Sequence, residues 1–182
     1  MSLSALTLDV YQLTTLIAHA ADGRLSDGPL AMSFFFRKLP KQRNYVVSCG
    51  LRSIVQHCQS LRFSAEELAL LDSHPILGPA LSTKTGQLVR DALARLDGFD
   101  GEIDAIPEGT LAFAGPAQRE DGSPLLVSGT PLFAYTPLLQ VRTDLTLCKL
   151  IETPWLSRIN YMSMVASKAS RVVAAAQHDG VL

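Results

Sequence analysis

A stretch near the N-terminus carries hydrophobic residues at the spacing of a helix. They recur every three or four positions, which places them on one helix face. The residues at this spacing are Val10, Leu13, Ile17 and Ala20. Asp9 precedes them as a capping residue, and Gln12 follows three positions later, where a capping box has Glu or Gln. The pattern predicts a helix that ends at residues 22–23, an Asp-Gly pair.

The same kinds of pattern predict the other elements of the first half. Ser64 and Glu67 form a second capping box, which opens a short helix. Pro75, Gly78 and Pro79 are expected to break the chain after it. β-forming residues on both sides of a turn-like segment, residues 40–43, predict two strands. The remaining predictions are strands at residues 30–36 and 44–48 and helices at residues 51–60 and 84–96.

The second half changes to short strands and then returns to helix. Strands are predicted at residues 103–106, 111–114, 124–127 and 132–135, with a hairpin turn at residues 119–123. A helix is predicted from residue 144, with a pause at Pro154 and a long continuation over residues 155–177. Its apolar seam comprises Trp155, Ile159, Met162, Ala166, Ala169, Val173 and Ala176. The opposite, polar side carries Asn160, Ser163, Ser167 and Arg171.

Composition narrows the class of protein. The chain has 182 residues, of which 47% are hydrophobic, and its mean hydropathy is +0.19. These values suit a folded core and exclude intrinsic disorder. The formal net charge of -1 gives no support for nucleic-acid or membrane-surface binding. No run reaches the ~18 apolar residues of a membrane span, and the N-terminus does not resemble a signal peptide. We therefore expect a cytoplasmic protein.

Metal and disulfide sites have little support. Cys49, Cys58 and Cys148 form no CxxC pair and are expected to be reduced thiols. The four histidines are scattered without metal-ligand spacing. Asp100, Glu102 and neighbouring acids imitate the start of a calcium loop, but the required glycine is absent, so a solvated turn is expected.

Two patterns leave phosphate and aromatic ligands open. Residues 78–85, GPALSTKT, come within one residue of a phosphate-binding loop, but a plain helix N-terminus is the favoured interpretation. Residues 28–65 contain six basic and no acidic residues, which indicates either solvated surface or a face for an anion. Tyr11 lies in the first helical turn, where its ring could stack on a flat aromatic acid or simply pack in a core or interface.

A series of short motifs occurs in one order along the chain. The motifs are DVYQLT at residues 9–14, FFFRKLP at 34–40, YVVSCGL at 45–51, IPEGT at 106–110, ET at 152–153, INY at 159–161 and SKASRV at 167–172. This series resembles the N-terminal part of nicotinate phosphoribosyltransferases. Departures are mild: Leu8, Ser167 and Ser170 stand where that family has Thr, Thr and Ala.

The resemblance implies a fold and an activity. The fold is α/β: an N-terminal α+β domain over residues 1–140, followed at residues 141–182 by the helical, incomplete start of an irregular α/β barrel of the type II phosphoribosyltransferase kind. The activity is that of an NAD-biosynthesis enzyme, a glycosyltransferase and ligase. It joins nicotinate to phosphoribosyl pyrophosphate with ATP hydrolysis, through a phosphohistidine and with Mg²⁺ on the phosphates. The implied partner is a second copy in a homodimer or a complementary C-terminal chain.

The resemblance also implies roles for three residues. Tyr11 matches a tyrosine that stacks on nicotinate, often in the partner subunit's site. Lys168 and Arg171 fall on the basic helix motif and are candidates for the phosphate side, against a surface salt bridge as the alternative. We expect no catalytic residue and no metal ligand in these 182 residues, because the histidine and the glycine-rich loops would follow Leu182. A non-catalytic nicotinate-binding or dimerisation module, or an enzyme for nicotinamide or quinolinate, remains an alternative.

Overall fold

The computed structural model describes residues 4–36, 43, 45–112 and 137–178. Within them the chain forms six helices and five strands. The helices are α1 Val10–Ala21, α2 Leu51–Ser60, α3 Ala65–Ser73, α4 Leu77–Leu81, α5 Lys84–Arg95 and α6 Leu145–His178. The strands are β1 Leu30–Phe34, β2 Val46–Val47, β3 Gly101–Ala105, β4 Leu111–Ala112 and β5 Leu139–Thr143.

The strands form two small sheets. One has three strands in the order β1-β5-β3, and the other pairs β2 with β4. The second pair is antiparallel, with Val46 opposite Ala112 and Val47 opposite Leu111. Strand β5 was not predicted, although its residues alternate between buried and exposed positions, which is typical of a half-buried strand. The predicted strands at 124–127 and 132–135 and the turns at 40–43 and 119–123 lie outside the described residues, apart from Arg43.

The chain divides into two compact units. The first unit takes its residues from Met1–Met32, Arg52–Glu102 and Val141–Leu156, and the second from Ser33–Leu51, Ile103–Gln140 and Ser157–Leu182. The first unit therefore contains α1 to α5 and the beginning of α6. The second contains β2, β4 and the remainder of α6. The domain division at residue 140 stays a prediction.

Helices α4 and α5 support α1 in the first unit. Both pack directly on α1, and α3 packs on α4. Buried leucines and valines fill the contacts between these helices, which gives α1 a fixed base. The buried residues include Leu13 and Leu16 of α1, Leu77 and Leu81 of α4, and Val89 and Leu93 of α5.

The break predicted after α3 is present, because α3 ends at Ser73 and α4 begins at Leu77 with Pro75 between them, but the pause predicted at Pro154 is absent. Residues 77–81 form the short helix α4, with Gly78 and Pro79 inside it. A proline in the first helical turn loses no hydrogen bond, because that N–H would have no partner in the helix. Helix α6 continues through Pro154 without a pause. Pro154 and Trp155 are both buried, so packing holds the helical path despite the missing N–H. No described helix is long and apolar enough to cross a membrane.

The capping box of α3 is confirmed. The Ser64 hydroxyl accepts a hydrogen bond from the Glu67 N–H at 3.1 Å, and Glu67 Oε2 accepts one from the Ser64 N–H at 2.9 Å. Glu67 Oε1 also accepts a hydrogen bond from the Ser4 hydroxyl at 2.5 Å. Burial raises the pKa of the Glu67 carboxyl, but the hydrogen bonds from Ser4, Ser64 and the Ala5 backbone outweigh it, so this pKa lies below its usual range.

Replacing Glu67 with glutamine is expected to flatten the acid dependence of stability. A folded-state pKa below the unfolded value stabilises the protein above about pH 4.3, the ordinary glutamate pKa, and this stabilisation is lost as the pH falls through the folded value. Glu67→Gln should lower the free energy of unfolding by about 1 kcal/mol at pH 7 and by less at pH 3.5. Urea unfolding at both pH values measures this. Glu66→Gln, at an exposed position, is the control, and equal losses at both pH values would contradict the prediction.

Candidate functional site

Tyr11 presents half of its side chain to solvent at the start of α1. It is the second residue of the helix, and 51% of its surface is exposed. Its hydroxyl accepts a hydrogen bond from Gln12 Nε2 at 2.7 Å and donates one to Glu152 Oε1 at 3.2 Å. Tyr11 is therefore not packed in the core of this chain, and packing at an interface stays an alternative. The side chain is half-exposed and tethered at its hydroxyl.

The residues around Tyr11 bring two of the sequence motifs together. The Thr153 hydroxyl donates a hydrogen bond to Asp9 Oδ2 at 2.9 Å, and Lys149 Nζ lies 3.8 Å from Glu152 Oε2. The DVYQ segment of α1 thus contacts the ET pair of α6 twice within the first unit. We call Asp9, Tyr11, Gln12, Glu152 and Thr153 the Tyr11 cluster. Glu152 was not predicted as a site residue, although the ET motif that contains it was one signal.

The capping box predicted at Asp9 and Gln12 is wrong. Asp9 does occupy the N-cap position, but its side chain makes no capping hydrogen bond. Its carboxylate accepts the Thr153 hydroxyl instead, and the Gln12 amide donates to Tyr11. Contacts with α6 therefore replace the local ones. Gln12 is fully buried, and its Oε1 has no hydrogen-bond partner among the described residues.

The surroundings of Tyr11 keep its hydroxyl neutral. Burial raises the pKa of Tyr11 above its usual range, and the negative charge of Glu152, its hydrogen bond and the charge of Asp9 raise it further. The hydrogen bond from Gln12 acts in the opposite direction but does not reverse the shift. Tyr11 is thus a neutral hydrogen-bond donor at physiological pH. It can offer an aromatic face but no nucleophile.

Lys168 and Arg171 lie in the second unit, whereas Tyr11 lies in the first. The Arg171 guanidinium carbon is 5.2 Å from the centre of the Tyr45 ring, a cation–π distance. The Tyr45 hydroxyl is 3.1 Å from Ser170 Oγ. Lys168 is exposed. Neither basic residue forms an ion pair with any described carboxylate, so the salt-bridge interpretation has no support within residues 4–36, 43, 45–112 and 137–178.

Two of the four residues on the predicted polar side of α6 are buried in the second unit. Ser163 is 0% and Ser167 is 1% exposed, whereas Val173 of the predicted seam is 46% exposed. The backbone N–H of Val47 donates to Ser167 Oγ at 2.8 Å, and that of Cys49 donates to Ser163 Oγ at 3.0 Å. These hydroxyls satisfy N–H groups that an extended segment otherwise offers to a neighbouring strand. Polarity alone therefore misassigned these two serines, although the predicted seam is buried at Trp155 and Ile159.

The IPEGT motif closes on the YVVSCGL motif in the second unit. Glu108 Oε1 accepts the Gly50 N–H at 2.7 Å, and the Ser48 carbonyl accepts the Gly109 N–H at 2.8 Å. Gly50 has φ +119°, and a Cβ there would lie 3.3 Å from the Ile159 Cα. A side chain at Gly50 would meet both the backbone strain and the α6 backbone. These motifs serve the packing of the second unit.

The other candidate motifs resolve into ordinary structure. Thr83 caps α5, and its hydroxyl accepts the Gly86 N–H at 3.0 Å, so residues 78–85 form α4 and a helix N-terminus as favoured. The calcium-loop imitation is strand β3 rather than the expected turn, because residues 101–105 join the sheet. Near it, a cleft of about 470 Å³ is lined by residues 27–29, 100–102 and 142–144. Glu102 in this cleft pairs with Arg142 at 3.3 Å.

The described residues supply no evident metal ligands. Within them, no group of three or more His, Cys, Asp or Glu side chains comes together. The three cysteines are free, and burial raises the pKa of all three thiols, that of Cys58 to about 11. The described side chains therefore do not fit Mg²⁺ as a protein-bound ion.

Comparison with known proteins places the chain in a family. Residues 6–118 match the profile of the nicotinate phosphoribosyltransferase (NAPRTase) N-terminal domain. Nicotinate phosphoribosyltransferase pncB2 of Mycobacterium tuberculosis is 32% identical over 175 residues, which are 95% of this chain and 31% of the relative. The human nicotinate phosphoribosyltransferase is 29% identical, with coverage of 92% and 26%.

A solved structure agrees with these relatives. The crystal structure of human nicotinic acid phosphoribosyltransferase superposes with a TM-score of 0.67 and 28% identity, over 91% of this chain and 28% of that chain. The predicted α/β fold class is thereby confirmed. The chain spans about a third of the length of the relatives it matches. Because the family profile covers more than half of its residues, this chain belongs to the nicotinate phosphoribosyltransferase family.

Proposed function

We propose that this chain forms the N-terminal part of an enzyme that joins nicotinate to phosphoribosyl pyrophosphate in NAD salvage. The products are nicotinate mononucleotide and pyrophosphate, and ATP hydrolysis accompanies the reaction. Family membership supports the reaction class. The observation that carries the proposal is the half-exposed ring of Tyr11, which is held at the start of α1 by two hydrogen bonds to its hydroxyl.

The proposed role of Tyr11 is to stack on the pyridine ring. A flat base on an aromatic face gains dispersion and offset-stacking energy, and about half of the Tyr11 surface is exposed to receive it. The carboxylates of Asp9 and Glu152 lie at the hydroxyl end. Since like charges repel, the nicotinate carboxylate would point away from that end, towards a cation supplied by another part of the enzyme.

Lys168 and Arg171 are proposed for the phosphate side. Both lack an ion pair with a described carboxylate, so their charges are free to meet an anion. The Tyr45 ring beneath the Arg171 guanidinium would hold it while its N–H groups face phosphate oxygens. The proposal assigns no general acid, base or nucleophile to this chain.

The remaining parts of the enzyme belong to the same proposal. The phosphohistidine step and the binding of the ribose phosphate would use other polypeptide, either as a complementary chain or as a continuation, within a homodimer in the cytoplasm. The barrel would begin near residue 141. Mg²⁺, when bound to the substrate phosphates, supplies charge neutralisation, but the described residues do not form its ligand set and we assign no step to it.

Replacing Tyr11 with alanine in the complete enzyme is expected to reduce kcat/KM for nicotinate by about 10- to 100-fold, since aromatic stacking contributes about 1–3 kcal/mol. Pyrophosphate release from nicotinate and phosphoribosyl pyrophosphate, with ATP present, measures it. Tyr161→Ala, at a tyrosine that is 70% exposed on α6, is the matched control and should retain wild-type kinetics. An unchanged kcat/KM in Tyr11→Ala would contradict the stacking role.

The same assay separates the alternatives. Turnover with nicotinamide or quinolinate but not nicotinate would indicate a different pyridine base. Calorimetric binding of nicotinate by the isolated chain, lost in Tyr11→Ala, with no turnover in any pairing, would indicate a non-catalytic module. The proposal requires turnover with nicotinate.

A further inference from the structure

We propose that Glu152 is a positioning residue for Tyr11: by accepting a hydrogen bond from its hydroxyl, it holds the aromatic ring in one orientation for stacking on the pyridine base. The inference rests on the proposed function, in which Tyr11 is the stacking residue. It adds a requirement on α6, because the residue that sets the ring lies 141 positions away in sequence.

The hydrogen bonds around Tyr11 have a fixed direction. A phenol has one proton to donate, and Gln12 Nε2 already donates to the Tyr11 oxygen at 2.7 Å. The proton is therefore directed to Glu152 Oε1, 3.2 Å away. Gln12 is fully buried, so the donor on the other side of the oxygen is held by the core. Gln12 donates to the oxygen of the hydroxyl, whereas Glu152 accepts its hydrogen, so neither partner can replace the other.

Glu152 is itself held in place. Lys149, one turn earlier on α6, lies 3.8 Å from its second oxygen, Oε2. The neighbouring Thr153 ties the same turn of α6 to Asp9 at 2.9 Å. The side chain of Glu152 is 29% exposed, so solvent screens its charge only in part. Two links thus join the start of α1 to one turn of α6, both within the first unit.

This arrangement matters because Tyr11 is half-exposed. An unrestrained aromatic side chain on the first turn of a helix samples more than one rotamer, and stacking on a ligand must select one of them. A phenolic hydroxyl prefers to lie in the plane of its ring, so a fixed acceptor favours one ring plane. Ordering the ring beforehand lowers the cost of binding the base.

The test uses the complete enzyme, four variants of Tyr11 and Glu152, and one control variant. Glu152→Ala and Tyr11→Phe should each raise KM for nicotinate by roughly 5- to 10-fold, the typical effect of one hydrogen bond, with little change in kcat or in KM for phosphoribosyl pyrophosphate. Glu152→Gln retains an acceptor oxygen and should restore KM to within about twofold of wild type. The double variant Tyr11→Phe/Glu152→Ala should be no worse than either single one. Glu66→Ala, at an exposed glutamate of α3, is the control.

A second measurement detects the contact between Tyr11 and Glu152 without relying on enzyme turnover. The charged groups that act on Tyr11 are Asp9 at the start of α1 and Glu152 on α6, and Lys149 lies beside Glu152. Both Glu152→Ala and Glu152→Gln should lower the pKa of Tyr11 in an ultraviolet titration of the phenols, with Tyr11→Phe used to assign the signal. Circular dichroism verifies folding of each variant.

The outcomes distinguish the two proposals. Wild-type turnover with nicotinate together with an unchanged KM in Glu152→Ala would overturn the positioning role and leave the proposed function intact. No nicotinate turnover by the wild-type enzyme would overturn both. A raised KM in Glu152→Ala that Glu152→Gln does not restore would also overturn the positioning role, because Glu152 would then act through its charge rather than through the hydrogen bond.

Discussion

Replacing Trp155 with alanine is expected to lower the free energy of unfolding by about 3–5 kcal/mol, the usual cost of removing a large aromatic side chain from a core. Trp155 is 0% exposed, and its ring centre lies 5.5 Å from that of Phe99. Its indole N–H donates to His57 Nδ1 at 3.0 Å. Both the packing and the hydrogen bond would be lost. Because Trp155 is the chain's single tryptophan, urea unfolding must be followed by circular dichroism.

The control for Trp155→Ala is Trp155→Phe. Phenylalanine retains most of the buried surface beside Phe99 but cannot donate to His57, so it should cost about 1–3 kcal/mol. The difference between the two variants then reports packing alone. A loss below about 1 kcal/mol in Trp155→Ala would contradict the buried position of this residue on α6.

Replacing Gly86 with alanine is expected to destabilise the chain by about 3 kcal/mol, the upper part of the range for overpacking. An added Cβ would lie 2.1 Å from the Ala80 carbonyl oxygen and 2.6 Å from the Leu81 Cα. Both atoms belong to the backbone of α4, so one of the two helices must move. The sign of the change in the free energy of unfolding is informative, because alanine at an exposed helix position is favoured over glycine by about 1 kcal/mol.

Gly28→Ala is the matched control for Gly86→Ala, since a Cβ at Gly28 would meet nothing within 4 Å. It should change the free energy of unfolding by less than about 0.5 kcal/mol. Since α4 and α5 both pack on α1, the Gly86 variant should also disturb the base on which Tyr11 rests. Stabilisation by Gly86→Ala in a urea titration would refute the close approach of α4 and α5.

Local patterns predicted most helices and the class of fold. The apolar spacing of α1, the capping box of α3 and the apolar spacing of α5 each depend on a few neighbouring residues. The hydrophobic pattern was less informative for α6, because Ser163 and Ser167 are polar yet buried. Their hydroxyls accept hydrogen bonds from the backbone N–H groups of Val47 and Cys49, and the residue pattern within α6 does not indicate these contacts.

The candidate site was also predicted only in part from the sequence. The motif series indicated Tyr11 and the family, and the family profile and the relatives confirm the latter. The partner of the Tyr11 hydroxyl was not predictable, because capping preferences assign Asp9 and Gln12 to each other. In the folded chain α6 lies against the start of α1, and the hydrogen bonds from Thr153 and to Glu152 displace the local box.

The amino-acid sequence alone was sufficient for the family, for the α/β class and for Tyr11 as the residue to study, because these depend on residue order and on short-range spacing. The tertiary structure decided that Ser163 and Ser167 of α6 are buried, that Pro154 does not end the helix, and that the Tyr11 hydroxyl bonds to Glu152. Each of these depends on groups more than 90 residues apart in sequence or on packing around a proline, and such contacts form only when the chain is folded.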